Sequence, residues 1–399
     1  MKGFTKILSS NLIIASLSIV RNIVVAQELG VEQFGKYAIL ILFYSYFGLL
    51  DLGINNGGLY ALTRNNSLEN TNSKFQGSII FAIVYAVFFG FLIFKLMGLE
   101  NNYVLIILTI PIVIINNYCI VIMRVVEDFK NLAISGIMST LISTILLIWL
   151  KIYSEITIIN ALIINLIIPL LSILYLVIFA GKHLKFKVKF ERKAFYIFFL
   201  SGFVTTIVPS VSTLYIGLDR FLLNNHLNSE VFSAFAFGCS LGMIGLIIPN
   251  SIITVVFRSF FGKLIMRDWY IYNTLNIVIL SFGSFLYSVI SGPIIEMYFL
   301  DYKNHIYYID IGVYSIIAIG FSQIAISFLL TKREKIALKT GLMWLCLKFI
   351  ILNFLLFIGK KEEMMNVSVI INILYSFSLI TISHIIYRFA AKEQFEYKI

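Results

Sequence analysis

The chain has 399 residues, of which 60% are hydrophobic and 13% charged, with a mean hydropathy of +0.94. Soluble domains are about a quarter charged, so this composition excludes a soluble protein. The net charge of +11 does not form a basic face interleaved with aromatic residues, so no nucleic-acid partner is predicted.

Apolar runs recur along the whole chain, and each is long enough to cross about 30 Å of hydrocarbon as a helix. The runs are continuous rather than alternating with period two, which excludes a β-barrel. The sequence therefore predicts an all-α membrane protein with about twelve transmembrane helices, at 7–26, 36–55, 77–97, 103–123, 134–152, 156–180, 195–217, 234–257, 271–293, 306–330, 339–358 and 366–387.

Lysine and arginine concentrate in alternate connectors, which the positive-inside rule assigns to the cytoplasm. Both termini are then cytoplasmic, and we expect a multi-pass protein of a bacterial inner membrane. The most basic connector lies at the midpoint of the chain. It predicts an N-terminal six-helix lobe at 1–181, a basic cytoplasmic linker at 182–194 and a C-terminal six-helix lobe at 195–399.

A short polar connector occurs twice, after the first span and after the seventh. QELGVEQFGKYAIL at 27–40 and HLNSEVFSAFA at 226–236 share the pattern L-x-x-E-x-F-x-x-aromatic-Ala, and Arg21 and Arg220 precede the two copies. Because six spans separate the copies, they predict two pseudo-symmetric bundles related by an axis along the membrane normal. The alternative is coincidence among common residue types.

Several charged residues fall within predicted spans, where a lysine costs about 2.5 to 3.5 kcal/mol on insertion scales. Lys348, near the middle of span eleven, either lines a wet cavity or is paired with an acid. Arg21 either faces the interior or extends to the outer interface. Asp51, near the inner end of span two, could carry a proton, pair with Arg64, or lie at the interface.

Prolines in spans either act as hinges for gating or form static kinks in packed helices. Pro209 and Pro249, in spans seven and eight, are the preferred hinge candidates. All five prolines lie inside or at the edge of spans: Pro111, Pro169, Pro209, Pro249 and Pro293.

No phosphate-binding loop of the G-x-x-x-x-G-K-[ST] type is present, so the chain is not expected to hydrolyse a nucleotide. The four histidines are isolated and lack metal-ligand spacing, so neither a metal, nor a cofactor, nor a catalytic cluster is predicted. A selectivity-filter sequence is also missing. These exclusions favour a secondary transporter over an enzyme or a channel.

The stretch RNIVVAQELGVEQFGKYAILILFYSYFGLLDLGINNGGLYALTR at 21–64 resembles the polysaccharide-biosynthesis flippases of the multidrug/oligosaccharidyl-lipid/polysaccharide (MOP) exporter superfamily. A second element, GLDRFLLNNHLNSEVFSAFAFG at 217–238, is similar to the family's D-R stretch after span seven, although Asn228-Ser229 replaces its usual small-Pro dipeptide. The matching positions are Leu29, Gly30, Phe34, Gly35, Tyr37, Asp51, Leu52, Gly53, Ile54, Arg64, Asp219, Arg220 and Phe235.

The resemblance implies two bundles in a V shape, like that of MATE transporters, around a central cavity. It also implies a cargo, an undecaprenyl-diphosphate-linked oligosaccharide for O-antigen, capsule or a similar polymer. Arg21, Arg220 and Lys348 are then expected to contact the anionic head group. Candidates for ion coupling or for salt bridges are Asp51, Arg64 and Asp219. The implied partners are the lipid-linked oligosaccharide, membrane lipid, and a polymerase with other polysaccharide-assembly proteins.

Two other functions fit parts of the sequence. A multidrug exporter of the same superfamily would favour acids within the membrane, yet Arg21 and Lys348 outnumber Asp51 there. A membrane-embedded polymerase or ligase of the same pathway would usually carry a large outer loop, whereas every predicted outer loop is short. Both alternatives are therefore less favoured than a flippase.

Overall fold

A computed structural model describes residues 2–64, 68–96, 101–181, 184, 187–243, 245–247, 249–250, 253 and 266–396. The side chains of Arg64 and Pro209 are outside the described part. The described backbone forms helices and turns and contains no strand, which confirms the predicted all-α fold.

Thirteen helices can be traced in this part of the chain: α1 (Lys2–Ser45), α2 (Ile54–Arg64), α3 (Leu68–Leu96), α4 (Thr109–Val125), α5 (Phe129–Tyr153), α6 (Ile158–Ala180), α7 (Arg192–Asn224), α8 (Ser229–Gly242), α9 (Met266–Tyr298), α10 (Ile306–Gly320), α11 (Gln323–Lys332), α12 (Glu334–Phe357) and α13 (Glu363–Glu396). Short 3-10 helices precede α4 at Asn101–Leu108 and α10 at Leu300–His305. Nine of the described stretches are long and apolar enough to cross a membrane.

The helix boundaries differ from the predicted spans in three places. Helix α1 runs through the predicted polar connector, and only Gly30 leaves the helical conformation, with φ of 65°. The predicted span at 36–55 is wrong as a continuous helix, because α1 ends at Ser45 and α2 begins at Ile54. Helix α7 extends to Asn224 rather than ending at 217, so Asp219 and Arg220 lie within it.

The break between α1 and α2 has a local cause. Leu52 and Gly53 both adopt positive φ, 49° and 88°, a backbone conformation that glycine tolerates at little cost. The Asp51 carboxylate then accepts hydrogen bonds from the backbone N–H groups of Gly53 and Asn55 at 2.9 and 3.2 Å. A carboxylate at this position caps the start of a helix, which explains why α2 begins at Ile54.

The chain divides into two compact units of packed helices. Unit 1 comprises Met1–Leu29 and Ile39–Ser210, and unit 2 comprises Gly30–Ala38 and Val211–Ile399. The division falls within α7, just after Pro209, whereas the sequence predicted a linker at 182–194. The evolutionary division into two six-helix lobes stays a prediction.

Within unit 1, part of the predicted linker lies along the start of α3. The backbone N–H of Lys189 donates to the carbonyl of Ser73 at 2.9 Å, and Lys74 forms an ion pair with Glu191 at 2.7 Å. The hydrogen bond from Lys74 lowers the pKa of Glu191 below its ordinary value. The contribution of this pair is therefore present above the ordinary glutamate pKa and is lost as the pH falls.

Within unit 2, α8 and α10 pack with their backbones close together. A Cβ atom at Gly238 would collide with the carbonyl oxygen of Ile309, and one at Gly312 would collide with that of Phe235. Small residues allow this close approach, and membrane helices use it because dispersion contacts increase as backbones approach. Helix α10 also packs against α13, which places it at the centre of the unit.

The segment 30–38 packs against α8 inside unit 2. Phe34 meets Phe237 edge to face at 5.6 Å between ring centroids, and the Phe237 ring lies 5.0 Å from that of Tyr302. A Cβ atom at Gly35 would overlap the hydroxyl of Ser233. Gly35 and Ser233 occupy the same position in the two copies of the repeated connector, so equivalent positions of the repeat touch each other.

We predict that Gly238→Ala destabilises the protein by about 1 to 3 kcal/mol, because the added methyl group overpacks the α8–α10 contact. The thermal midpoint in detergent and the monodisperse yield measure this loss. Gly283→Ala is the matched control, since nothing lies within 4 Å of the added carbon and alanine favours a helix. Equal behaviour of the two variants would contradict the close packing.

Candidate functional site

An ion pair lies in the centre of unit 2. Lys348 on α12 has 0% of its surface exposed, and its Nζ contacts Oδ1 of Asp219 on α7. Asp219 is buried as well. Of the two alternatives for Lys348, these contacts are those of a lysine paired with an acid. Its direct contact with a substrate stays a prediction.

Two further helices complete the surroundings of Asp219. Its Oδ2 accepts hydrogen bonds from Ser315 on α10 at 3.3 Å and from Ser368 on α13 at 2.5 Å. Asn372, one turn after Ser368, accepts from Lys348 Nζ at 2.9 Å and donates to the Ser315 carbonyl and hydroxyl at 3.1 and 2.8 Å. This network joins α7, α10, α12 and α13 through buried polar groups, and buried groups depend on one another for hydrogen bonds.

Tyr215, one turn before Asp219, makes two contacts with the Lys348 ammonium. Its carbonyl oxygen accepts from Lys348 Nζ at 3.2 Å, and the centroid of its ring lies 4.3 Å from the same nitrogen. The ring in turn packs against that of Tyr375 on α13, with 4.2 Å between centroids and a tilt of 32° between the planes. A desolvated ammonium gains from an aromatic face at this distance.

Arg220 follows Asp219 directly in α7. Its side chain is only 7% exposed, and its Nε has no hydrogen-bond partner in the part of the chain that the structure describes. It lies close enough to Cys239 and Lys348 to act on both electrostatically. The positive charges of Lys348 and Arg220 therefore lie near the single negative charge of Asp219. The excess positive charge is costly to bury.

Asp51 occupies a different setting, in unit 1. It is 3% exposed and therefore buried within the protein, while its depth relative to the membrane interface stays a prediction. Besides the two backbone N–H groups, its carboxylate accepts from Asn55 Nδ2 at 2.6 Å. The pairing of Asp51 with Arg64 falls on a side chain outside the described part. Its negative charge is stabilised locally by the start of α2.

Arg21 also belongs to unit 1, where its Nε and Nη1 are buried. Its charge acts on Tyr44, further along α1. Arg21 as a whole is half-buried, so the choice between an inward-facing side chain and one that extends to the interface stays a prediction. A substrate contact at Arg21 remains a prediction.

The role of Pro209 and Pro249 as hinges stays a prediction. Pro209 lies inside α7, beside the division between the two units, and Pro249 is buried in a short helical segment. Among the described residues, no group of three or more His, Cys, Asp or Glu could hold a metal ion.

Comparison with known proteins decides the family. A profile described as polysaccharide biosynthesis protein matches residues 1–261, well over half of the chain. The chain belongs to the polysaccharide biosynthesis protein family. No curated protein sequence matches this family member.

Solved structures show the fold of this polysaccharide biosynthesis protein. It is similar to an inward-facing multidrug resistance MATE transporter of the MOP superfamily, with a TM-score of 0.74 and 12% identity, over 98% of this chain and 99% of that one. An outward-facing structure of such a MATE transporter gives a TM-score of 0.67 at 12% identity, over 98% and 96%. The predicted MATE-like, multi-pass fold is therefore confirmed.

A third structure is a MOP superfamily transporter from Pyrococcus furiosus, described as having a binding pocket of reverse polarity that suggests a different function. It has a TM-score of 0.66 and 12% identity, over 96% of this chain and 95% of that one.

Sequence reasoning missed the hydroxyl and aromatic members of the network in this family member, Tyr215, Ser315 and Ser368. A usable signal was present, since Tyr215 and Asp219, like Ser368 and Asn372, are four residues apart within apolar helices. Such pairs share one helix face. Polar residues on one face of a membrane helix indicate an interior contact.

We predict that Ser368→Ala lowers the stability by about 1.5 to 3 kcal/mol, because it removes a buried hydrogen bond to a charged carboxylate. Ser378→Ala, on the same helix, is the control, since the Ser378 hydroxyl bonds to the carbonyl of Tyr375 within its own helix turn. Thermal unfolding of both purified variants provides the comparison. A larger loss in Ser378→Ala would contradict the network.

Proposed function

We propose that this protein is a flippase that moves an undecaprenyl-diphosphate-linked oligosaccharide across the bacterial inner membrane by alternating access. Membership in the polysaccharide biosynthesis family and the MOP transporter fold support this proposal. The cargo would be an O-antigen, capsule or similar repeat unit. Both termini would be cytoplasmic, and a polymerase with other polysaccharide-assembly proteins would receive the product.

The observation that carries the proposal is the state of Arg220. Its guanidinium is buried beside a second cation, and its Nε lacks a hydrogen-bond acceptor among the described residues. An excess of buried positive charge is costly, so an additional anion beside Arg220 would lower the free energy of this cluster. A diphosphate supplies the missing anion, and a guanidinium binds phosphate oxygens in a bidentate manner.

The physical task of such a flippase matches these residues. A diphosphate cannot enter hydrocarbon bare, because isolated charges there cost many kcal/mol. Arg220 in unit 2 and Arg21 in unit 1 each carry a guanidinium, buried in Arg220 and partly buried in Arg21, whose charge would lower this cost. Lys348 is paired with Asp219 and would have to leave this partner before it could bind the substrate. We therefore assign Lys348 mainly to fixing the position of Asp219 next to Arg220. The prenyl tail would remain in the lipid.

The source of energy for this movement is a separate part of the proposal. Without a nucleotide-binding loop, an ion gradient or the substrate gradient must drive the cycle. Among the described residues, Asp51 and Asp219 are the buried carboxylates that could respond to an ion, and they lie in different units. A multidrug exporter would bind organic cations. This function is disfavoured because the cluster in unit 2 carries an excess of positive charge.

We predict that Arg220→Gln reduces export of lipid-linked glycan by about tenfold or more, because a charged hydrogen bond of about 1.5 to 3 kcal/mol is lost. Arg220→Lys should retain part of the activity, since it keeps the charge but loses the bidentate geometry. The measurement is the amount of surface polymer in a flippase-null strain that carries the cognate glycosyltransferases.

The control is Lys339→Gln, which removes an exposed cation from α12 and should export normally. Membrane levels of all variants are compared on the same samples. Normal surface polymer with Arg220→Gln would refute the assignment of Arg220. Failure of the wild-type protein to restore any polymer, combined with resistance to organic cations, would instead favour the multidrug exporter.

A further inference from the structure

An extended segment at 187–190 is fastened to the start of α3 in unit 1. The backbone N–H of Lys187 donates to Gln76 Oε1 at 2.9 Å, and that of Lys189 donates to the carbonyl oxygen of Ser73 at 2.9 Å. N–H groups of residues two apart face the same side of an extended chain, so both hydrogen bonds fit this conformation. Gln76 itself is buried. The backbone of the segment therefore has a fixed position on α3.

The two faces of this segment differ in polarity. Because successive side chains of an extended chain point to opposite sides, Lys187 and Lys189 share one face, and Val188 and Phe190 share the other. All four residues are exposed, Val188 by 56% and Phe190 by 53%. The segment is therefore amphipathic, and both of its faces are accessible.

The apolar face continues the outer surface of α3. The ring of Phe190 lies 5.8 Å from that of Phe81, measured between centroids. Phe81 is 47% exposed and belongs to the stretch Asn70–Lys95, which is long and apolar enough to cross a membrane. We therefore expect Phe81 to face acyl chains, and Phe190 to lie at the edge of the same hydrocarbon. The basic face then points away from the hydrocarbon, toward lipid head groups.

Positive charge is concentrated along this segment and the first turn of α7. Glu191 is the only acid in the sequence at 182–194, and Lys74 of α3 pairs with it at 2.7 Å. Arg192 and Lys193 begin α7 and are exposed. Together with the two lysines of the segment, they form a group of four exposed cations. The positive charge and the apolar face therefore lie side by side.

We propose that the segment 187–193 is a docking surface for anionic phospholipids of the leaflet beside the starts of α3 and α7. The lipid phosphate contacts Lys189 and Lys193, and an acyl chain packs on Val188 and Phe190. The positive-inside rule accounts for lysines in a connector, but it requires neither a fixed backbone nor exposed apolar side chains between the lysines. The proposal depends on neither the cargo nor the transport activity.

The test compares two lipids with the same acyl chains, dioleoyl phosphatidylglycerol and dioleoyl phosphatidylcholine. Each is titrated into the purified full chain in detergent, and native mass spectrometry counts the bound lipids. The wild type should bind phosphatidylglycerol about tenfold or more tightly than phosphatidylcholine, because each cation near an anionic head group contributes about fivefold. Lys189→Gln combined with Lys193→Gln should weaken phosphatidylglycerol binding about tenfold to thirtyfold and leave phosphatidylcholine binding unchanged.

A matched control separates this surface from the total charge. Lys335→Gln combined with Lys339→Gln removes two exposed cations from α12 and should keep the preference of the wild type. Equal losses in the two double variants would overturn the proposal. All four positions are exposed, so we expect both double variants to fold, and their thermal midpoints in detergent verify this.

Two further measurements address the apolar face. Val188→Asn keeps every cation and should still weaken phosphatidylglycerol binding several-fold, whereas unchanged binding would overturn the role of this face. Glycerol 1-phosphate carries the phosphate without acyl chains, so it should not displace the lipid at comparable concentration. Displacement would overturn a lipid as the occupant.

The wild type alone also decides the central point. Equal affinities for the two lipids would overturn the proposal and leave an acidic protein as the partner of these cations. Loss of surface polymer in a variant that keeps its lipid preference would bear on the flippase proposal alone.

Discussion

The structure of unit 2 depends on the ion pair between Lys348 and Asp219. Either charge alone inside an apolar bundle would cost several kcal/mol, and the pair repays that cost only if every remaining donor and acceptor is satisfied. Four helices supply those partners, so the positions of α7, α10, α12 and α13 along their axes are fixed together. Apolar packing alone would allow these helices to slide, since lipid tails compete equally well for their surfaces.

The two units stabilise their buried carboxylates in different ways. Asp51 in unit 1 is held by backbone N–H groups at the start of α2 and by Asn55, without a cation among these hydrogen-bond donors. Asp219 in unit 2 is held by a lysine and two hydroxyls, with Arg220 next to it. The first arrangement leaves local charge negative and the second leaves it positive. The two buried carboxylates therefore lie in opposite local electrostatic environments.

The sequence predicted the class of fold because continuous apolar runs and the spacing of basic residues reflect the membrane directly. It also predicted, on energetic grounds, that Lys348 either lines a wet cavity or is paired with an acid. It could not identify Asp219, because the seventh span was ended too early and Asp219 was placed beyond it. The break after Ser45 was equally hidden, since Leu52 and Gly53 adopt positive φ inside an otherwise helical pattern. Neither boundary changes the periodicity of the apolar residues, so the pattern did not reveal them.

The contact between Gly35 and Ser233 has a consequence for how such a chain could arise. Two identical copies related by a two-fold axis would bring the same residue face to face at this point. Two side chains would then collide, while two glycines would leave a gap. Once both copies are joined in one gene, each can change alone, so that one loses its side chain and the other fills the space. A side chain at position 35 therefore requires the Ser233 hydroxyl to move away or to be lost.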